Sequence, residues 1–518
     1  MSNSTVGTAV GGDALSQGRK QEPEPALFIP TNEVYGHIPK NHFYEQLGRL
    51  LDLSFVYELT RPLYAEKMGR PSLDPVIFFK CMLVGFFENI VYDTELEFRI
   101  ADSLLLRKFL GYSLDERTPD ESTLRKTRQK MPEEAFRAVF DYVLDICSRD
   151  GLLKGRAIGT DSTLVDANAS MDSLVHKELG CSYDEYVLAI RRQDDADATR
   201  DEAARADKDR QGKASNRDWE SSTDPEARIM QHSDGHTHLS YKVDATVDLE
   251  TGVIVSAGAE FGDVSDQSDY LERVDEAACA LEDRGLSPVV VVADKGHHSG
   301  ENLAGIEERG LVPLVSSPNQ NRGKAGFERG DFTYDEQTDT LTCPAGQVLI
   351  RLARRDQKGR HYKARGTACQ GCPNFGVCTT AKRGRAVMIS VYEEQVQANR
   401  QRVHSPGARP LLQIRRQRGE APFSYFKMFG GLRRFAARGL AYATKKTLIA
   451  ALGWNLLLLV KALMQGTPVF DLVLRLIWLI QALWRRLANI NTREQESLAP
   501  RSPLLATSVP KAALSGGC

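Results

Sequence analysis

No uninterrupted apolar run in this 518-residue chain reaches the roughly 20 residues that a helix needs to cross a bilayer. The most apolar stretch, Thr447 to Leu463, is broken by Asn455 and Lys461 and reads as a buried helix. Basic flanks would suit a membrane surface, but the length does not, so no membrane partner is expected. The first residues are polar and glycine-rich and lack the apolar segment of a secretory signal. An excess of one charge is missing too: 67 Lys and Arg stand against 69 Asp and Glu, a net charge of −2. Bulk charge therefore names no partner. Internal repeats are absent. Cysteine is sparse and odd in number, nine in all. In a long chain without a signal this speaks against a disulfide scaffold and for the reducing cytoplasm.

What is present is segregated charge. From Arg409 to Lys461 there are eleven Lys or Arg and one acid, Glu420; from Arg351 to Arg385 there are ten and one, Asp356. The compensating acids lie largely between Asp184 and Glu226. Such separation suggests a surface built to face a polyanion. The competing reading is a solvated basic surface.

Residues 1–30 read as disordered and residues 31–150 as a helical domain. Pro75, with Asp74 as cap, opens a helix through VIFFKCMLVGFFENI, and TELEFRIADSLLLRKFL supplies another. Pro119 and Asp120 open a short helix that carries Arg125, Lys126, Arg128 and Lys130. Pro132 starts a further one, ended by Gly151. Several short helices with one basic member suggest a helix-turn-helix-like DNA reader. The alternative is a packing or dimerisation domain.

Strands take over from Gly155. AIGTD is followed by a charged, weakly apolar stretch, 172–228, which can form surface helix or stay mobile but is not expected to build a core. HLSYKVDATVD and GVIVSAGAEFG form a hairpin, SDYLERVDEAACALEDRG a helix, and PVVVVAD a buried strand. A short helix near ENLAGIEERG and the strand LVPLVSS complete the series. This α/β order predicts an RNase H-like mixed sheet with flanking helices. It occupies 151–320 and resumes over 397–465 after a basic Cys-rich insert, 321–396. A helix over 466–490 and a disordered tail over 491–518 end the chain.

Three carboxylates stand where chemistry is expected. Asp161 and Asp294 each end an apolar run, and Glu420 lies in the basic stretch near a helix. Carboxylates at strand ends plus one on a helix can converge on two hard divalent cations, which take oxygen ligands and stabilise both oxygens of an in-line phosphoryl transfer. Asp166 competes with Asp161 for the first position. His297 and His298 read as ordinary loop residues, with second-shell donation or DNA contact as alternatives. Lys295 has a phosphate contact as its alternative.

These residues resemble the DDE transposases of bacterial insertion sequences, in particular the subgroup with a Y-x2-R-x3-E-x6-K signature. Arg416, Glu420 and Lys427 match its spacing, and Gln413 replaces the tyrosine. DSTLVDANAS, ADKG, GRPSLDP and the Cys-rich insert are similar to that subgroup as well. The resemblance spans about residues 30 to 465. It implies metal-dependent strand cleavage and strand transfer at the ends of an insertion sequence. Asp161, Asp294 and Glu420 would hold two Mg2+ (or Mn2+) ions, and Arg416 and Lys427 would hold DNA phosphates. With the charge pattern it also implies double-stranded DNA as partner, meaning the element ends and the target. Arg433, Arg434, Arg438, Arg125, Lys126 and Arg128 are the expected contacts, a homodimer on DNA the expected assembly, and the nucleoid the expected location. A non-catalytic, domesticated DNA-binding relative and an RNase H-fold nuclease without strand transfer are the alternatives.

Cys343, Cys369, Cys372 and Cys378, spaced C-x25-C-x2-C-x5-C, form a candidate tetrahedral zinc site with His361 as a spare ligand. A metal-free thiol cluster is the competing reading.

Overall fold

In the computed structural model the described residues are 30–465, apart from 65–71, 209, 211–212, 233–234, 318–325, 328 and 354–358. The termini expected to be disordered, 1–29 and 491–518, and the helix expected over 466–490 lie outside them.

The chain opens with helices α1 (Thr31–Gly36), α2 (Phe43–Leu50), α3 (Phe55–Thr60), α4 (Pro75–Phe87), α5 (Asp93–Asp102), α6 (Leu104–Leu110), α7 (Glu121–Lys130) and α8 (Glu133–Arg149). Their ends follow from local chemistry. Asp74 Oδ1 accepts from the amides of Val76 and Ile77 at 2.7 and 3.1 Å, and Pro75, which has no N–H to leave unpaired, follows it. The single helix expected from Thr94 to Leu110 is two, α5 and α6. Ser103 breaks it in extended conformation and accepts from the Leu106 amide.

Next come β1 (Ala157–Asp166), β2 (Leu174–His176), α9 (Tyr183–Asp194), α10 (Arg200–Asp207), β3 (Trp219–Ser221), β4 (Arg228–Gln231), β5 (Thr237–Asp248), β6 (Ile254–Phe261), α11 (Tyr270–Glu282), β7 (Val290–Ala293), α12 (Gly300–Glu308) and β8 (Val312–Val315). The main sheet is mixed, in the order β4-β5-β1-β7-β8, with β6 also on β5. Strand β1 runs antiparallel to β5 and parallel to β7, and β7 runs parallel to β8.

Strands β9 (Thr333–Asp335), β10 (Thr340–Thr342), β11 (Val348–Arg351), β12 (Gly359–Ala364) and β13 (Ala386–Ser390) form a separate antiparallel sheet, ordered β13-β12-β11-β10-β9. Helices α13 (Glu393–His404), α14 (Ala408–Ile414), α15 (Glu420–Met428) and α16 (Leu440–Gln465) complete the described chain.

A buried asparagine closes each flank of the main sheet. Asn455 on α16 donates to the Ile254 carbonyl and accepts from the Ile254 amide, both at 2.8 Å. Asn399 on α13 does the same for Val315 of β8, at 2.8 and 3.1 Å. Backbone groups that would otherwise pair with another strand are thereby covered. The polar residue that interrupts the apolar run is thus what docks that run on the sheet. Residues Leu440–Leu463 are long and apolar enough to cross a membrane, but 61% of that window is buried. The helix lies against α8, α4 and β6. At Gly453 a side chain would collide with the Phe86 ring, so glycine sets the closeness of the α16–α4 crossing.

The first helices share one continuous core with the sheet, from Leu47 through Phe136 and Tyr241 to Leu456. One expectation changes here. The 172–228 stretch is largely built structure. Helices α9 and α10 each begin with a reciprocal Ser/Thr–Glu capping box, and β2 pairs β3 beside the buried Trp219. Caps and one aromatic anchor compensate for a low apolar content.

Candidate active site

The parallel ladder of β1 and β7 sets the first two carboxylates. Ala157, Ile158 and Gly159 lie opposite Val290, Val291 and Val292. Asp161 follows two residues after Gly159, still on β1, and Asp294 two residues after Val292, just past the end of β7. The two carboxylates are near enough for Asp294 to act on the charge of Asp161. Asp294 also caps the turn Lys295–His297: its Oδ1 accepts from the Gly296 amide at 2.8 Å and from His297 Nδ1 at 2.9 Å. His297 is buried, with its ring 4.7 Å from that of Tyr270. The loop reading of His297 gives way to that of a residue holding Asp294. His298 turns away, 3.5 Å from Ser317 Oγ.

Glu420 arrives from another element. Helix α14 runs into a π-helical turn, Arg415–Gly419, and then into α15. The turn has a local cause: Pro422 has no amide to give to Arg418, and its ring excludes that carbonyl from the α-helical position. The wider turn brings residues five apart together, so Arg415 rather than Arg416 lies by Glu420. Arg415 is buried, with Nη1 at 3.1 Å from Asp161 Oδ2 and Nη2 at 4.0 Å from Glu420 Oε1. Arg416 is exposed and takes no part in this contact. Arg415, not Arg416, is thus the arginine that reaches the carboxylates. Asp161, Ser162, Thr163, Glu420, Ser424 and Lys427, with Phe423, line a cleft of about 220 Å3.

The electrostatics of the two aspartates differ in sign. Burial pushes the Asp161 carboxyl up; Arg415 opposes this, as does the Ser162 amide at 2.9 Å, while Asp294 adds to it. Asp294 is held down to about 2, first by the hydrogen bond from His297. Lys427 is pushed down by burial, against the attraction of Asp166. Paired carboxylates with opposed shifts mark a site that handles charge.

One residue escaped the sequence reading. Asp266 Oδ1 accepts from Ser162 Oγ at 2.8 Å and lies 3.4 Å from Lys242 Nζ. A Cβ on Gly296 would stand 3.0 Å from Asp294 Oδ1 and 3.1 Å from Asp266 Oδ2. Asp266 therefore borders both Asp161's neighbour and Asp294. It sits in the loop between β6 and α11, where no strand end or signature spacing points to it.

The remaining candidates fall elsewhere. Asp166 ends β1 and lies 3.7 Å from His232 and 3.6 Å from His238, five residues past Asp161. Arg128 turns inward to an ion pair with Asp93 and sits over the Tyr442 ring. Arg125 and Lys126 stay exposed. So do Arg433, Arg434 and Arg438, but Arg434 donates to the Ala167 and Ala169 carbonyls and Arg438 to that of Asn168. Among the described residues, no three or more His, Cys, Asp or Glu are grouped to hold a metal ion as they stand. At the carboxylates, the Arg415 guanidinium lies between Asp161 and Glu420.

Two families of known proteins match parts of the chain. Residues 32–130 match the family described as a transposase domain (DUF772), and residues 342–460 match the one described as a transposase DDE domain. No curated protein matches the chain. Among solved structures, a piggyBac transposase synaptic complex with hairpin DNA is 10% identical, with 90% of this chain and 86% of that one covered and a TM-score of 0.29. A Mos1 transposase paired-end complex with the left transposon end is 9% identical, with 57% and 61% covered and a TM-score of 0.15. At such scores neither likeness assigns anything to this chain.

Proposed function

We propose that this chain is an insertion-sequence DDE transposase, a reading its two transposase-domain matches support, and that Asp161, Asp294 and Glu420 form its catalytic centre on an RNase H-like sheet. The observation that supports the assignment is that the parallel pairing of β1 with β7 brings Asp161 on one strand near Asp294 just past the end of the other, with Glu420 lining a common cleft with Asp161.

The donors fit a hard divalent cation. They are all carboxylate oxygens. A positive guanidinium already bridges two of them at 3.1 and 4.0 Å, so the cleft favours a cation. Asp161, Asp294 and Glu420 would hold Mg2+ or Mn2+, and the bound ions would activate the attacking oxygen and neutralise the leaving one. The protein's own groups do the rest. His297 fixes the Asp294 carboxylate, and Ser162, held by Asp266, fixes the backbone beside Asp161. Lys427, on the wall of the cleft two helical turns after Glu420, holds a DNA phosphate, as Arg415 does once released from the carboxylates.

The reaction is phosphoryl transfer without an enzyme nucleophile. Water attacks the phosphodiester at the element end, the P–O3′ bond breaks, and the 3′-oxygen leaves with a proton. That hydroxyl then attacks a target phosphodiester, forms the new P–O bond and displaces the target's own 3′-oxygen. Element ends and target are double-stranded DNA, and a homodimer pairs the two ends in the nucleoid.

Labelled duplexes that carry an element end, incubated with Mg2+ and a supercoiled target, test this. The wild type should give a nicked end and joined products. Asp161→Asn should give neither, yet still shift the duplex in a gel. Nicks without joined products would make the chain a nuclease. Unchanged cleavage by Asp161→Asn would remove Asp161 from the centre.

A further inference from the structure

We propose that the β9–β13 module is a zinc domain, with one Zn2+ held by the thiolates of Cys343, Cys369, Cys372 and Cys378. The proposal is independent of the carboxylate centre.

The four cysteines come from three places in the chain, and all line one cavity of about 20 Å3; they are not grouped as a metal site as they stand, and the ion would draw the sulfurs together. Such a volume takes a single atom-sized guest. Cys343 lies in the β10–β11 turn, Cys343-Pro-Ala-Gly-Gln347. There the Gly346 amide donates to the Cys343 carbonyl at 2.8 Å with Gly346 at φ +76°, and the Gln347 amide donates to Cys343 Sγ at 3.2 Å. Cys369 and Cys372 form a second knuckle in the β12–β13 connection, closed by the Cys372 amide on the Cys369 carbonyl at 3.3 Å. The Arg385 amide donates to Cys369 Sγ at 3.4 Å. Backbone amides aimed at sulfur are the hydrogen bonds that steady and orient a metal-bound sulfur. Cys378 sits on a third turn, its amide on the Asn374 carbonyl at 2.8 Å, with Arg385 Nη1 on its own carbonyl at 3.3 Å. That guanidinium offsets the double negative charge of a four-thiolate zinc site.

Stability points the same way. The module has its own core, separate from the main one: Phe332, Leu341, Leu349, Tyr362, Ala364, Val387 and Ile389. So few buried side chains do not fix a sheet of this size in water, and small modules add disulfides or a metal. Cys343, Cys369, Cys372 and Cys378 form no disulfide, which leaves the metal. Soft sulfur donors in a tetrahedral set of four select zinc over Mg2+ or Ca2+.

The test uses the full chain, purified under reducing conditions after expression with added zinc. Metal analysis should find about one Zn2+ per chain. Cys372→Ser and Cys378→Ser should each lower zinc retention at least about tenfold under a competing chelator, while Asp161→Asn and Cys279→Ser retain it. Co2+ substitution should give the thiolate-to-cobalt charge-transfer band. Should the serine variants fail to fold, chelation of the wild type is the second measurement. It should expose four thiols to a thiol reagent and open the 326–390 region to protease before the core. A chain that retains no zinc overturns the proposal. So does zinc held equally by both serine variants, a cobalt form without the thiolate band, or thiol reactivity unchanged by the chelator.

Discussion

Arg415 offers the most informative perturbation of the carboxylate centre, because it contacts two of the three proposed metal ligands. At 3.1 Å from Asp161, a unit charge pair in an effective dielectric of about 20 attracts by about 5 kcal/mol before desolvation is subtracted. Glu420 adds little, since its side chain is 56% exposed. Removing one partner of a buried pair costs about 3–5 kcal/mol, and proton uptake by the already raised Asp161 carboxyl limits the loss. Arg415→Gln should therefore destabilise the metal-free protein by about 2–4 kcal/mol at pH 8. The pH dependence follows from the sign of the shift. A carboxyl whose folded pKa is raised favours folding below its unfolded value and loses that contribution as pH rises through the folded one. The variant's deficit should shrink between pH 8 and pH 5. Divalent cations should repair it: Mg2+ at about 100 times its Kd restores about 2.7 kcal/mol. The wild type gains less, because the ion must first displace the guanidinium. Thermal unfolding of both proteins across a Mg2+ titration at two pH values reads all of this. Equal Mg2+ stabilisation of variant and wild type would refute the idea that Arg415 competes with the ion.

Three further outcomes are expected. His297→Phe removes the donor that holds Asp294 at about 2, and with that side chain 38% exposed it should cost about 1 kcal/mol at pH 7. A depressed carboxyl contributes above its unfolded pKa and loses that as pH falls through its folded one, so urea unfolding at pH 3 should show a smaller difference than at pH 7. Asn455→Leu leaves the buried Ile254 amide and carbonyl unpaired and should cost about 2–4 kcal/mol in urea unfolding; a loss below about 0.5 kcal/mol would mean that water or another group caps that strand. Arg433→Ala should flatten the slope of log K for duplex DNA against log salt by about 0.9. Arg434→Ala should change it less, since its guanidinium is engaged with the Ala167 and Ala169 carbonyls; equal slopes in both would refute that ranking.

The sequence by itself determined the elements that depend on near neighbours. Asp74 before Pro75 starts α4 because a cap needs only the next three amides. The valine-rich run before Asp294 is a central strand because it is buried on both faces. The resemblance marked Glu420 and Lys427 through a spacing of seven, and the structure puts both on one cleft. What only the tertiary structure decided is whatever rests on contacts between distant segments. The approach of Asp161 and Asp294 depends on the pairing of β1 with β7, which no local pattern encodes. Asp266 reaches the site from a loop, and His297 becomes a support for Asp294 only once Tyr270 buries it. Arg415 replaces Arg416 because the π turn before Pro422 changes which residues share a face, and a motif counted in residues carries no helical pitch. The weakly apolar 172–228 stretch folds because capping boxes and the buried Trp219 together outweigh a composition that, averaged over the segment, predicts mobility.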